Sequence, residues 1–407
     1  MSQGSGPLLR HDRSMRRRWD IFCAVVDNFG DIGICWRLAQ QLADERAADV
    51  RLWVDDLAAF ARLNPAVSVA DDRQQIGLVE VRHWSRDRFD PHVEVPDVVI
   101  EAFACELPPT YVEAMSCRQL APVWINLEYL SAEEWVEGCH QLASPRPQSS
   151  LSKYFFFPGF TPQTGGLLRE RELLSQRAAF DDHAASEFWT RLGIEPRRDG
   201  ELRVSLFCYE NIALEPLLKV WQSGSEAITV FATSGFATQQ CARLLDHPLE
   251  PGTKLQQGSL TIYALPFLTQ PDYDRLLWSC DVNFVRGEDS FVRAQWAQLP
   301  FIWQPYPQSE ETHLTKLEAF LERYLQSAAA ESPSLGAAIS QCWQAWNGRG
   351  DIAAAWLEFS NQLPLVERHQ MAWVSQLDRL GDLSNNLADF VEQIERRRLV
   401  THHSSAL

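Results

Sequence analysis

Residues 19–33 read WDIFCAVVDNFGDIG, and the fold is decided there. The first eight, 19–26, are apolar apart from Asp20, the signature of a strand buried on both faces. A turn follows through Asp27, Asn28, Phe29, Gly30 and Asp31. From 32 to 47, Ile34, Leu38 and Leu42 recur at helical spacing. A buried strand, a glycine turn and an amphipathic helix begin a βαβ unit. Outward from it the alternation continues, with strands expected at 49–54 (DVRLWV), 78–82 (LVEVR), 97–103 (DVVIEAF) and 121–126 (APVWIN).

The rhythm breaks at 144–167, where Pro, Gly, Ser and aromatics crowd together; this segment reads as a structured loop. A helix is expected over about 177–192, and LGIEPRRDGE then supplies a polar boundary. Strands resume at 203–209, 228–232, 260–265, 281–285 and 300–304, and from 310 onward the pattern is helical. The expected fold is α/β: two Rossmann-like, doubly wound domains facing a central cleft, with a helical C-terminus. Residues 15–198 form the first domain and 199–375 the second. A last helix over about 376–407 packs back on the first, and 1–14 is an unstructured extension.

Composition narrows the function. The 407 residues carry a net charge of −17, which repels nucleic acid and anionic membranes and favours basic partners. No apolar run is long enough to span a bilayer. The N-terminus has basic residues without the apolar core of a secretory signal. Nine cysteines, none in a CxxC pair, suit reduced thiols in the cytoplasm rather than a disulfide framework or a zinc site.

Ligands of open parallel sheets bind beyond the carboxyl ends of the strands, so chemistry is sought there. Asp27 and Asp31 flank Gly30 at the first such end. One of them could act as a general base; alternatively Asp31 caps the helix that follows. The G-D-I-G spacing lacks the dinucleotide fingerprint, and Asp31 would repel a pyrophosphate, so NAD is not expected. The strand at 281–285 runs into Arg286, Gly287, Glu288, Asp289 and Ser290 before a helix. A glycine turn at a helix N-terminus presents free N–H groups to a diphosphate, and Arg286 adds fixed charge. Ser290 can cap the helix or bond a phosphate oxygen, and Glu288 can orient a sugar hydroxyl or an acceptor. Upstream, Phe267 and Tyr273 flank Gln270. Rings stack on a nucleobase while an amide reads its edge, although core packing alone would account for these three.

Five long segments go further: DNFGDIGICWRLA (27–39), INLEYLSAEEWV (125–136), SLSKYFFFPGFTPQTGGLLRE (150–170), LPFLTQPDYDRLLW (265–278) and FVRGEDSFVRAQWAQLPFIWQPYP (284–307). Together they resemble the EarP family of elongation factor P arginine rhamnosyltransferases, from Met15 to the C-terminal helices. Phe29 stands where that family usually has Tyr. The resemblance implies an inverting GT-B glycosyltransferase with dTDP-β-L-rhamnose as donor, and neither cofactor nor metal. The acceptor would be an arginine at the tip of the first domain of elongation factor P. It implicates Asp27, Asp31 and Glu288 in catalysis, with Asp31 favoured as base and the reverse assignment with Asp27 left open. Arg286, Asp289 and Ser290 would hold the diphosphate, Phe267 and Tyr273 would sandwich thymine, Gln270 would bond its edge, and Tyr209 would line the nucleotide site. The competing readings are a GT-B enzyme with a small-molecule or glycan acceptor, and a non-catalytic nucleotide-sugar-binding protein.

Overall fold

Two sheets carry the chain. The computed structural model describes the backbone of residues 16–27, 29–308 and 312–405, and their side chains except at 327–331 and 401–405; the extension read at 1–14 lies outside the described residues. The first sheet holds β1 (Arg18–Cys23), β2 (Asp49–Val54), β3 (Arg73–Ile76), β4 (Val79–His83), β5 (Val98–Ala102), β6 (Val123–Leu127), β7 (Ala143–Pro145) and β8 (Ser152–Phe156). Its order is β3-β4-β2-β1-β5-β6-β8-β7. The second holds β9 (Leu202–Leu206), β10 (Ile228–Ala232), β11 (Lys254–Gln257), β12 (Leu260–Ala264), β13 (Val282–Arg286) and β14 (Phe301–Gln304), ordered β11-β12-β10-β9-β13-β14. Ladders are parallel except for the edge pairs β3–β4, β7–β8 and β11–β12. The central strands are buried along their whole length, which is why they stand out as apolar runs.

In each sheet the winding reverses between neighbours, β1 and β5 in the first and β9 and β13 in the second. Such switch points open crevices at the carboxyl ends. β1 stops at Cys23, short of the expected 26. The N–H of Val25 turns to Asp55 Oδ1 and that of Val26 to Asp31 Oδ2, both at 2.8 Å, so these residues leave the ladder and enter the turn.

Three expectations need correction. The segment 144–167 is not all loop, since it carries the end of β7 and the whole of β8, an added edge of the first sheet. The helix placed at 177–192 is two, Leu173–Ala179 and Asp182–Arg191, with Asp181 capping the second through Ala184 N–H at 2.9 Å. Both pack on the second sheet: Leu173 joins its core, and Trp189 stacks on Phe231 at 4.3 Å. The helix begun at 376 is also divided. Gly381, at φ +78°, separates helix Leu363–Asp378 from helix Leu383–Ser405. The latter returns to the first sheet, where Leu383, Leu387, Phe390, Val391 and Ile394 complete the core. Each such buried side chain contributes about 1.5–3 kcal/mol. Among the described residues no helix is long and apolar enough to cross a membrane.

The halves meet through charge. Arg37, on helix Gly30–Glu45, lies 3.1 Å from Glu170, 3.4 Å from Asp274 and 3.3 Å from Asp289. Arg293 reaches Glu170 at 2.6 Å and Asp274 at 2.8 Å. Buried ion pairs add little net stability but fix relative geometry, and here they set one half of the cleft against the other.

Candidate active site

The turn after β1 is closed by Gly30 N–H on Asp27 O at 2.6 Å. Asp31 lies inside the first turn of helix Gly30–Glu45, and its carboxylate faces backward. Oδ2 accepts the N–H groups of Val26 and Asp27 at 2.8 Å each, and Oδ1 accepts the Tyr129 hydroxyl at 3.2 Å. Asp31 is therefore not a cap: the N-cap position is Phe29, which has no side-chain cap bond. Asp27 Oδ2 accepts the Tyr209 hydroxyl at 2.8 Å across the cleft. Burial raises the Asp27 pKa above the usual carboxylate value, while Tyr209 and Arg286 act in the opposite sense.

The turn after β13 is built on Gly287, at φ +59°. A Cβ there would stand 2.7 Å from Tyr209 Oη and 3.0 Å from Asp27 Oδ2, so only glycine admits the approach of the other half. Ser290 Oγ accepts the Arg286 N–H at 3.0 Å and donates to Arg286 O, closing the turn on itself. The Arg286 guanidinium lies 4.3 Å from the Phe207 ring centre and 4.4 Å from that of Tyr209. It donates to Cys208 O at 3.4 Å and has no ion pair among the described residues. A nearly unspent, buried guanidinium beside the N-terminus of helix Asp289–Ala297 suits an anionic ligand.

Two of the expected nucleotide residues have other partners. The Asp289 carboxylate turns to Arg37 and Gln270, so it belongs to the contact between halves. The Gln270 amide donates to Gly33 O at 3.1 Å, which leaves its side-chain oxygen for a ligand. Phe267 is 43% exposed, and its ring meets Phe29 edge-on at 5.2 Å. Tyr273 meets Phe207 edge-on at 5.6 Å. These aromatics, with Tyr209, Arg286 and Ser290, line a cavity of about 100 Å³. Phe29, Phe207 and Thr233 also line it, and the sequence reading missed them. Phe207 and Thr233 directly follow parallel strands, so the strand-end rule applied at every strand would have found both.

A second cavity, of about 300 Å³, shares a wall with the first. Asp27, Gly30, Gly287 and Glu288 line both cavities; Asp31, Tyr129, Trp303, Tyr306 and Lys316 line only the second of the two. Glu288 Oε2 accepts Leu130 N–H at 3.0 Å. Burial pushes the Glu288 pKa up to about 8, with that N–H and Lys316 opposing the rise and Asp31 and Asp289 adding to it. An anion-suited cavity and an acid-walled one thus meet at Asp27 and Glu288. Among the described residues no group of His, Cys, Asp and Glu could hold a metal ion.

Two Rossmann-like halves, with an anion-suited cavity and an acid-lined one sharing a wall between them, have the architecture of a GT-B glycosyltransferase. The profile of the elongation factor P rhamnosyltransferase family EarP matches residues 19–392, and the chain belongs to that family. It is similar to a protein-arginine rhamnosyltransferase of Pseudomonas putida, at 46% identity over 379 residues, covering 92% of this chain and 99% of that one. A protein of the same name from Shewanella oneidensis is 40% identical over 395 residues, covering 92% and 98%. A solved structure described as the structural basis for EarP-mediated arginine glycosylation of translation elongation factor EF-P aligns at a TM-score of 0.67 and 33% identity. It covers 93% of this chain and 99% of that one.

Proposed function

We propose that this chain, a protein-arginine rhamnosyltransferase by family, moves L-rhamnose from dTDP-β-L-rhamnose, with inversion, onto an arginine of elongation factor P. The observation that carries the reading is the wall shared by the two cavities. The donor's diphosphate would lie by Arg286 and the turn at Gly287, with its base among Phe29, Phe267 and Tyr273. The acceptor guanidinium would enter the second cavity, whose acids match its charge. The protein's net charge of −17 supports a basic partner.

A guanidinium is a poor nucleophile because it stays protonated. In the proposed step one of its nitrogens attacks the anomeric carbon from the face opposite the diphosphate. The new N–C bond forms as the C–O bond to the diphosphate breaks, and the nitrogen's proton passes to a carboxylate. Asp31 lines the acceptor cavity but not the donor cavity, which supports it as the base. Asp27 and Glu288, on the wall, would orient the guanidinium and stabilise positive charge on the sugar. Arg286 and the helix N-terminus would balance the departing diphosphate, so the step is written without a metal. The nine unpaired cysteines support a reducing, cytoplasmic setting.

Intact-mass measurement of elongation factor P after incubation with the enzyme and dTDP-β-L-rhamnose tests this. One added deoxyhexosyl unit on an arginine is expected, at a rate unaffected by EDTA. No transfer to elongation factor P, or equal transfer to free glycans, would overturn the acceptor; loss of rate in EDTA restored by Mg²⁺ would overturn the metal-free step.

A further inference from the structure

The motif INLEYL at 125–130 contains the last three residues of β6 and the three beyond it, and the proposed reaction uses none of them. Two adjacent residues there touch acids of both halves. Tyr129 donates its hydroxyl to Asp31 Oδ1 at 3.2 Å. Leu130 donates its backbone N–H to Glu288 Oε2 at 3.0 Å. Asp31 comes from the first half and Glu288 from the second, so one short segment spans the catalytic wall.

The segment is held from several sides. Phe103 N–H bonds Leu127 O at 2.7 Å and Glu128 N–H bonds Phe156 O at 2.9 Å, which anchors the end of β6 to β5 and β8. The Tyr129 ring stacks on Phe103, 4.4 Å between centres and 14° from parallel. Phe103 itself has φ +55°, a left-handed conformation costly for a residue with a Cβ. The Lys316 ammonium lies 5.6 Å from the same ring centre. Leu130 is 7% exposed and packs in the core of the second half.

Even a half-buried tyrosine commonly finds some partner for its hydroxyl, so the Asp31 bond alone would say little. The combination is more specific. A rigid strand end holds a ring in register, the ring places a hydroxyl on one acid, and the next N–H holds the other acid. We infer that Tyr129 and Leu130 form a strap that sets Asp31 and Glu288 in register across the cleft, with Tyr129 a positioning residue acting through Asp31. This rests on the reading above, in which those acids act in transfer.

Tyr129→Phe removes the hydroxyl and keeps the ring. The expected result is a fall in kcat of about tenfold, the effect of one lost hydrogen bond to a charged group. The thermal midpoint, dTDP affinity and KM for elongation factor P should stay at parental values. Because Tyr129 acts through Asp31, Tyr129→Phe/Asp31→Asn should turn over no more slowly than Asp31→Asn alone, followed by intact mass over long incubations. A parental kcat in Tyr129→Phe while Asp31→Asn is crippled would overturn the strap and leave the acids in place. A further multiplicative loss in the double variant, or a kcat loss matched by a lower thermal midpoint, would also overturn it. Full activity in Asp31→Asn would overturn both the strap and the acid assignment beneath it.

Discussion

The strands β5 and β13 hold the same place in two sheets of matching order, yet the turns that follow them solve the same problem differently. After β13 a single glycine, Gly287, takes the left-handed backbone and lets Asp27 and Tyr209 come close. After β5 no glycine is present: Phe103, Ala104 and Glu106 all have φ between +53° and +55°. The glycine turn leaves space, and space is what a phosphate or a facing carboxylate needs. The β5 turn instead keeps its side chains, because Phe103 serves as the platform for Tyr129. The Gly287 side of the cleft is thus shaped by removing atoms and the Tyr129 side by bracing them.

That contrast can be broken most forcefully at the acids. Asp31→Asn should lose about 10²–10⁴ in rate, the share of a general base, and Asp27→Asn should be severely impaired as well. Donor affinity should change little in either, since a carboxylate gains nothing from a diphosphate. Binding and transfer measured on the same preparation would decide it; a defect confined to donor affinity would place that acid on the wrong side. Phe267→Ala should do the opposite, weakening dTDP binding by about 1–3 kcal/mol, the loss of one stacking ring, as read by calorimetry.

Glu288, on the shared wall, should respond to pH. Its pKa is raised from 4.5 to about 8, first by burial. If its ionised form holds the acceptor cation, kcat/KM should rise about tenfold from one unit below that value to one unit above, and Glu288→Gln should abolish the limb. Stability runs the other way. A carboxyl with a raised folded pKa stabilises fully below its unfolded value, and that contribution is lost as pH climbs through the folded one. Urea unfolding from pH 4.5 to pH 8 should therefore show a decline that Glu288→Gln lacks. The smallest effect sharpens the comparison of turns: Ala104→Gly should stabilise by about 0.5–1 kcal/mol, since a Cβ in the left-handed region carries that cost. An unchanged urea midpoint would show that the β5 turn is not strained.

Most of the fold was legible because its central strands are buried on both faces and so appear as apolar runs; 49–54 and 228–232 coincide with β2 and β10. The edge strands were not. β3 (RQQI) and β11 (KLQQ) are short, polar and half in solvent, so no apolar run marks them. Asp27, Asp31, Glu288 and Arg286 were legible as charges at strand ends, where charge has no packing role. Phe29 and Tyr129 were not, because an aromatic in a turn is indistinguishable from core until the opposing half is in place. The engagement of Asp289 and Gln270 with Arg37 and Gly33 depends on partners more than 200 residues away in the chain, and no local pattern carries that information.

Helix Leu383–Ser405 has a consequence for how the molecule comes into being. The first sheet precedes the second in the chain, but its apolar layer is completed by Leu387, Phe390, Val391 and Ile394, which follow the second. The half that carries Asp27 and Asp31 therefore cannot complete its core until the chain has run through the whole of the other half.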